Sequence, residues 1–434
     1  MFISQLIFAA LLITAITLAV SNTRKIIANI RLGKTEHRVD NRGKRLRTML
    51  LVAFGQKKMF KRPFPALLHL AVYLGFCIIN IEMLEIVFDG LFGTHRAFSG
   101  LGKLYSFLIA AFEWLAVGVL VGCIVFLIRR NLVRIRRFFG TEMTAWSHTD
   151  ANLILVTEIL LMAAFLTMNT ADHKLQLAGA AHYTQAGVFP VSSWFLTLLP
   201  DSVPALTGIE RFCWWFHIVG VLAFLNYLPY SKHLHILLAF PNTYFSNLHP
   251  KGRFTNMDSV TNEVKAMLDP SYTPGTTDAP LRFGAKDIQD LTWKNLLEAY
   301  TCTECGRCTS VCPANLTGKL LSPRKIMMDT RDRMVEVGEN IRKNKDFADD
   351  GKSLLDSYIT REEIWACTSC NACVEACPVN INPLEIILEL RRFAVMEESQ
   401  APSSLNIMFG NIENNGAPWK YAQADRANWI DNNG

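Results

Sequence analysis

The run Cys302-Thr303-Glu304-Cys305-Gly306-Arg307-Cys308-Thr309-Ser310-Val311-Cys312-Pro313 decides what the carboxy-terminal half of this chain is. A second run, Cys367-Thr368-Ser369-Cys370-Asn371-Ala372-Cys373-Val374-Glu375-Ala376-Cys377-Pro378, repeats it. Both have the C-x2-C-x2-C-x3-C-P spacing of bacterial-type [4Fe–4S] sites. Three closely spaced thiolates wrap one cube, and the fourth, next to proline, reaches the other cluster. This reading assigns Cys302, Cys305, Cys308 and Cys377 to one [4Fe–4S] cluster, and Cys367, Cys370, Cys373 and Cys312 to a second. Zinc also binds paired C-x2-C motifs, but two four-fold runs each ending in Cys-Pro fit it poorly. Disulfides do not suit a reducing compartment.

Between the runs lie 54 residues without sustained strand-like alternation, with apolar positions at roughly helical spacing. Ser322-Pro323 and Asn382-Pro383 read as helix starts, and Thr360-Arg361-Glu362-Glu363 as a capping box. The cluster domain is therefore expected to be helical over 290–395. Before it, residues 241–289 are polar and broken by Pro250, Pro270, Pro274 and Pro280, a linker.

The other half has a different composition. Of 434 residues, 50% are hydrophobic and only 19% charged, against about 25% charged in a typical soluble chain. The long apolar runs lie before Phe240, whereas eight of the eleven cysteines follow Thr301. A secreted disulfide scaffold, a disordered chain and a single soluble enzyme domain are excluded. Spanning helices need about 20 apolar residues, and five segments within 1–240 qualify: about 2–20, 64–87, 104–128, 151–168 and 212–240. The first lacks a basic start and a small-residue cleavage site, so it reads as a retained helix. Thirteen Lys or Arg lie between Arg24 and Arg62, and five more between Arg129 and Arg137. The positive-inside rule then places the amino terminus outside and the cluster domain in the cytoplasm, in a cytoplasmic (inner) membrane. The net charge of +6 is accordingly a topology and lipid-headgroup signal, and nucleic-acid binding is not expected. Cys77, Cys123 and Cys213 read as packing residues within spans.

Histidines inside spans point to redox chemistry. His69 and His235 lie at matching depths near the cytoplasmic ends of the second and fifth spans, suiting the two faces of one haem. His217 is eighteen residues before His235, five turns on one continuous helix, and is the candidate ligand for a second haem. Asn80 and Met83 follow His69 on its helix face, Met83 as an alternative ligand, while His233 reads as a headgroup-level histidine. Glu82, Glu85, Glu113 and Glu158 fall in or near spans, where carboxylates mark proton paths or quinone pockets. His217 with Trp214, Trp215 and a nearby glutamate would form a quinol site, or the tryptophans would be interfacial anchors.

These residues resemble the heterodisulfide reductase-related iron–sulfur oxidoreductases. Residues 64–240 are similar to the nitrate reductase gamma-subunit type of cytochrome b, through His69, the His217–His235 spacing and Pro229-Tyr230-Ser231-Lys232-His233-Leu234-His235 followed by Pro241-Asn242. Residues 290–395 are similar to the α-helical ferredoxin of heterodisulfide reductase and glycolate oxidase subunits. Di-haem gamma subunits carry a second histidine where this chain has Ile79, so the resemblance implies one haem b. Related fused proteins continue past a segment like Asn411–Trp419 into CCG domains, so it also implies a separate CCG subunit docking on the tail 396–434. The expectation is an all-α protein: a five-helix transmembrane bundle followed by a cytoplasmic dicluster ferredoxin. It would pass electrons between the CCG partner, the clusters, haem b and the menaquinone or other quinone pool. Electron-transferring flavoprotein, hydroxy acids or thiols would supply them, and substrate chemistry would lie on the partner. A membrane redox sensor or scaffold, and a subunit of an ion-translocating complex, are the alternatives.

Overall fold

The computed structural model describes residues 2–183, 185–250, 252–273 and 282–431. Pro274 and Pro280 of the expected linker lie outside the described residues. Within them there is no strand, only isolated bridges between Lys34 and Thr292 and between Leu355 and Ile359.

Five helices are long and apolar enough to cross a membrane. They are α1 (Phe2–Ile30), then, after the short α2 (Arg42–Met49), α3 (Pro63–Phe92), α4 (Lys103–Asn131), α5 (Ala145–Leu177) and α6 (Val203–Tyr227). Helices α3 to α6 pack on one another in chain order, and α1 closes the ring between α6 and α3. The core holds Phe8, Ile79, Phe112, Ala116, Leu161, Phe165 and Ile218. Outward-facing Ile7, Leu67, Leu84, Val121, Leu160 and Phe212 are exposed. An apolar shell around an apolar core needs hydrocarbon as its solvent. Phe8 of α1 packs its ring directly on Gly90, where a Cβ would stand 2.6 Å from it, so a larger residue would push that ring aside.

Two boundaries differ from the sequence expectation in ways that matter. Helix α1 continues past Val20 to Ile30, leaves the apolar zone and docks on the carboxy-terminal half: Asn29 donates to the Tyr300 hydroxyl at 2.7 Å and accepts from Arg342 at 2.8 Å. The span expected over 212–240 is not one helix. Helix α6 stops at Tyr227, short 3-10 turns cover Leu228–Tyr230 and Lys232–Leu234, and α7 (His235–Tyr244) starts anew. Pro229 lacks an N–H to continue the ladder, and Ser231 is extended (φ −116°, ψ 150°). The buried Asp150 on α5 holds this corner, accepting from the Ser231 hydroxyl (2.6 Å), the Lys232 N–H (3.1 Å) and the Tyr227 hydroxyl. His217 and His235 therefore sit on different helices, and the five-turn alignment does not exist.

The stretch expected as an irregular linker carries the end of α7 and α8 (Asp258–Leu268). The carboxy-terminal half is built of α9 (Trp293–Thr301), α10 (Pro313–Leu316), α11 (Pro323–Asn344), α12 (Arg361–Trp365), α13 (Ala372–Ala376) and α14 (Pro383–Met396), with α15 (Ser403–Asn415) following. Capping places their starts. Ser322 and Asn382 accept from the N–H groups of Lys325 and Glu385, each with proline at the first helical position. Thr292 with Asn295, and Thr360 with Glu363, close capping boxes. Each cysteine run is thus preceded by a boxed helix and followed by a proline-started one. Leu296, Ile326, Met334, Ile364, Ile386 and Leu390 form the core, joined by Ile26 of α1 and by Leu234, so the two halves share one apolar core.

Candidate functional site

The two cysteine runs adopt one backbone pattern. Glu304 (φ 53°) and Gly306 (φ 68°) flank Cys305 in the left-handed region, and Ser369 (φ 56°) and Asn371 (φ 59°) flank Cys370 in the same way. Gly306 is sterically required, since a Cβ would meet Arg324 Nη1 at 2.7 Å and the Arg137 carbonyl at 2.9 Å. The thiols fall into two neighbourhoods. Cys308 feels Cys305, Cys302 and Cys377 ahead of Cys373, and Cys377 feels Cys305. Cys367 feels Cys312 and Cys370, and Cys373 feels Cys367, Cys312 and Cys370. Burial pushes Cys302 and Cys373 up to about 12 and Cys377 to about 11, so a metal must displace the thiol proton there. Backbone N–H groups already approach the sulfurs, Ile381 to Cys377 at 3.3 Å and Ser369 to Cys367 at 3.4 Å. Among the described residues no three His, Cys, Asp or Glu side chains converge as ligands of a single metal ion do. Two sets of neighbouring thiols, with amides directed at Cys367 and Cys377, have the donor chemistry that a cube of irons and sulfides would need. In the first neighbourhood Cys302 and Cys377 are buried and Cys305 and Cys308 half-buried, whereas Cys370 of the second is exposed.

The imidazoles of His69 and His235 face each other with ring centroids 6.4 Å apart. A metal–imidazole bond of about 2.0–2.1 Å puts a ring centroid roughly 3 Å from the metal, so rings on opposite faces of one haem stand about 6 Å apart. Each Nδ1 is already engaged: His69 donates to Gln56 Oε1 at 3.1 Å and His235 to the Lys232 carbonyl at 3.0 Å. Nε2 is left as the lone-pair donor on both rings, the usual arrangement of ligating histidines. Burial lowers the His235 pKa and keeps that imidazole neutral. The pair fits one haem. Gln56 has no sequence signature; it lies thirteen residues before His69 in a basic loop and is buried with φ 49°.

The other histidines are placed differently. His217 is buried, donates Nδ1 to the Leu161 carbonyl at 3.0 Å, and has Phe165 as its ring neighbour at 6.0 Å. No second imidazole faces it among the described residues, and Ile79 fills the core. His233 packs between Phe224 (5.3 Å) and His235 (5.6 Å). Trp214, expected beside a quinol, is buried against Phe8 and Trp215. Asn80 and Met83 instead line a lipid-side groove of about 380 Å³ with Cys77, Leu84, Ile218 and Leu222.

Three of the four intramembrane glutamates belong to one network at the end of the bundle away from the cysteines. At its centre Arg96 reaches Glu82 (3.0 Å), Asp172 (2.8 Å) and Asn169 (2.7 Å). Tyr105 donates to Glu85 at 3.0 Å, and Glu113 accepts from the N–H groups of Val191 and Ser192. This ties α3, α4 and α5 to their loops. Glu158 lies outside it. Arg96, a lone arginine in a loop poor in basic residues, was the available sequence signal for this cluster.

Residues 301–381 match the 4Fe-4S dicluster domain family. A probable iron-sulfur-binding oxidoreductase FadF of Bacillus subtilis is 28% identical, the match covering 99% of this chain and 61% of that protein. An EtfAB:quinone oxidoreductase of Syntrophomonas wolfei is 27% identical over 92% of this chain and 55% of its own length. A CoB-CoM heterodisulfide reductase subunit of Methanosarcina acetivorans is 36% identical over 24% of this chain and 52% of its own length. The chain thus spans about three fifths or less of these relatives. No solved structure matches. An iron–sulfur membrane protein similar to oxidoreductases is established by the dicluster match, the relatives and the five apolar helices.

Proposed function

We propose that this chain is the membrane-bound electron-transfer part of a quinone-linked oxidoreductase. Cys302, Cys305, Cys308 and Cys377 hold a proximal [4Fe–4S] cluster, Cys312, Cys367, Cys370 and Cys373 hold a distal one, and His69 and His235 hold one haem b. When bound, these groups supply one-electron carriers. The residues supply spacing and shielding: α7, which starts at His235, packs on α9, which leads into the first run, and Arg307, between Cys305 and Cys308, lies within electrostatic range of His69. The observation that carries the reading is the imidazole pair 6.4 Å apart, each ring held through its Nδ1, on the cysteine side of the bundle.

Electrons would pass between a cytoplasmic partner, the distal and proximal clusters, the haem and the menaquinone or other quinone pool. A CCG-domain subunit is the expected partner, and the exposed Ile407, Ile412 and Trp419 of the tail give it apolar footing. The similarity to an EtfAB:quinone oxidoreductase supports a flavoprotein donor and a quinone acceptor. All basic loops meet the cluster domain, through Arg62 to Ser310 and Arg324 to the Arg137 carbonyl, which supports a cytoplasmic placement of that face with the amino terminus outside.

The test is a dithionite-reduced minus oxidised spectrum of the purified protein with haem and iron quantified. The expected result is a b-type α-band, lost in His69→Ala and in His235→Ala, with about eight cluster irons per chain retained in both. A parent protein that binds eight irons but shows no haem band refutes the cytochrome reading and leaves the membrane half as an anchor.

A further inference from the structure

Lys232 touches both proposed redox sites. Its carbonyl accepts from His235 Nδ1 at 3.0 Å. Its ammonium donates to Glu304 Oε2 at 2.7 Å and to the Ser147 carbonyl at 2.7 Å. Glu304 stands between Cys302 and Cys305, and its other carboxylate oxygen accepts from Arg331 at 2.8 Å. The side chains of Lys232 and Glu304 are 10% and 4% exposed, so water does little to screen the pair. The main chain is equally fixed: the Lys232 N–H donates to Asp150 at 3.1 Å, and Glu304 is held in the left-handed region at φ 53°, a conformation costly for a residue with a Cβ. A stable surface contact would need none of this burial or strain.

We propose that Lys232 is a positioning residue that fixes the distance between the His69–His235 site and the Cys302–Cys305 loop and sets the charge felt by the cluster there. The proposal rests on the reading of those residues as haem and cluster ligands. A cation beside a redox centre favours its reduced, more negative form, and an anion disfavours it. Lys232 and Glu304 therefore act on the proximal cluster with opposite sign, while the distal set, Cys312, Cys367, Cys370 and Cys373, has Arg391 as its nearby cation.

The experiment is an EPR-monitored redox titration of the full chain, with an optical haem spectrum of each sample. Lys232→Met should lower the midpoint of one cluster and leave the other unchanged. Glu304→Gln should raise that same midpoint, and the double variant should return toward the parent. Lys232→Arg should restore the parent value. The α-band should survive Lys232→Met, because His235 is held by the backbone carbonyl, while reduction of the haem through the clusters slows. Shifts of the same sign, no shift, or cluster loss that Lys232→Arg does not repair would overturn the proposal. If the parent has no α-band, the haem reading fails instead, and the opposite-sign shifts still decide the role of Lys232 at the cluster.

Discussion

Glu385 shows how much a single buried carboxyl can report. It is 9% exposed at the start of α14, 3.5 Å from Arg38, and shares a buried pocket with Glu298, Lys294 and Asn242. Burial first, and then repulsion from Glu298, pushes its pKa up to about 7 despite Arg38. The folded value lies above the unfolded one of about 4.3, so folding takes up a proton between them. Stability is therefore greatest below the unfolded pKa, declines as pH rises through about 7, and levels beyond it. Glu385→Gln has no proton to lose. The temperature at which cluster absorbance bleaches should fall for the parent relative to the variant between pH 5.5 and 7.5, then run parallel; parallel behaviour throughout would contradict this. At this scale the dicluster motif over 301–381 was legible, because cysteine spacing is local. Gln56 and Lys232 were not, since each acts on a ring that only the fold brings near.

Helices and corners come next. The five apolar runs declared themselves because lipid demands continuous hydrophobicity, and the helix starts at Pro323, Arg361 and Pro383 were readable from their caps. The corner between α6 and α7 was not readable, because hydropathy runs on across Pro229 and the acceptor that turns the chain, Asp150, belongs to another helix. That corner aims His235 at His69. On the haem proposal, Asp150→Ala should free it and lower haem retention by about 10–100-fold, the usual cost of losing a group that orients a metal ligand. The haem-to-iron ratio of purified protein measures this, with cluster iron unchanged. Full haem in the variant would show that α7 is held by other contacts.

The whole molecule behaves as one unit joined by buried ion pairs. Glu142, in the α4–α5 loop, accepts from Arg324 at 2.6 Å and from the Ser322 hydroxyl at 2.6 Å, with Arg324 and Glu142 side chains 1% and 5% exposed. Arg324 also donates to the Arg137 carbonyl at 2.7 Å, directly over Gly306. Removing one partner of such a pair leaves the other charge buried. Arg324→Met should cost about 3–5 kcal/mol, seen as a lower urea midpoint for cluster bleaching. A variant bleaching with the parent's midpoint would mean that the membrane loops contribute nothing to the stability of the cluster domain.

What the sequence determined by itself is whatever acts over a few residues or one helix: cysteine spacing, caps, apolar length and the bias of basic loops. These rest on local covalent reach and on transfer from water to lipid, and they carry the class of protein and its iron–sulfur chemistry. Tertiary structure decided the rest. The corner that ends α6 at Tyr227 and restarts the chain at His235, the engagement of His69 by Gln56, and the gathering of Glu82, Glu85 and Glu113 around Arg96 depend on packing between elements. Packing has no sequence period, since which partner a buried polar group finds is settled only when the surrounding helices close.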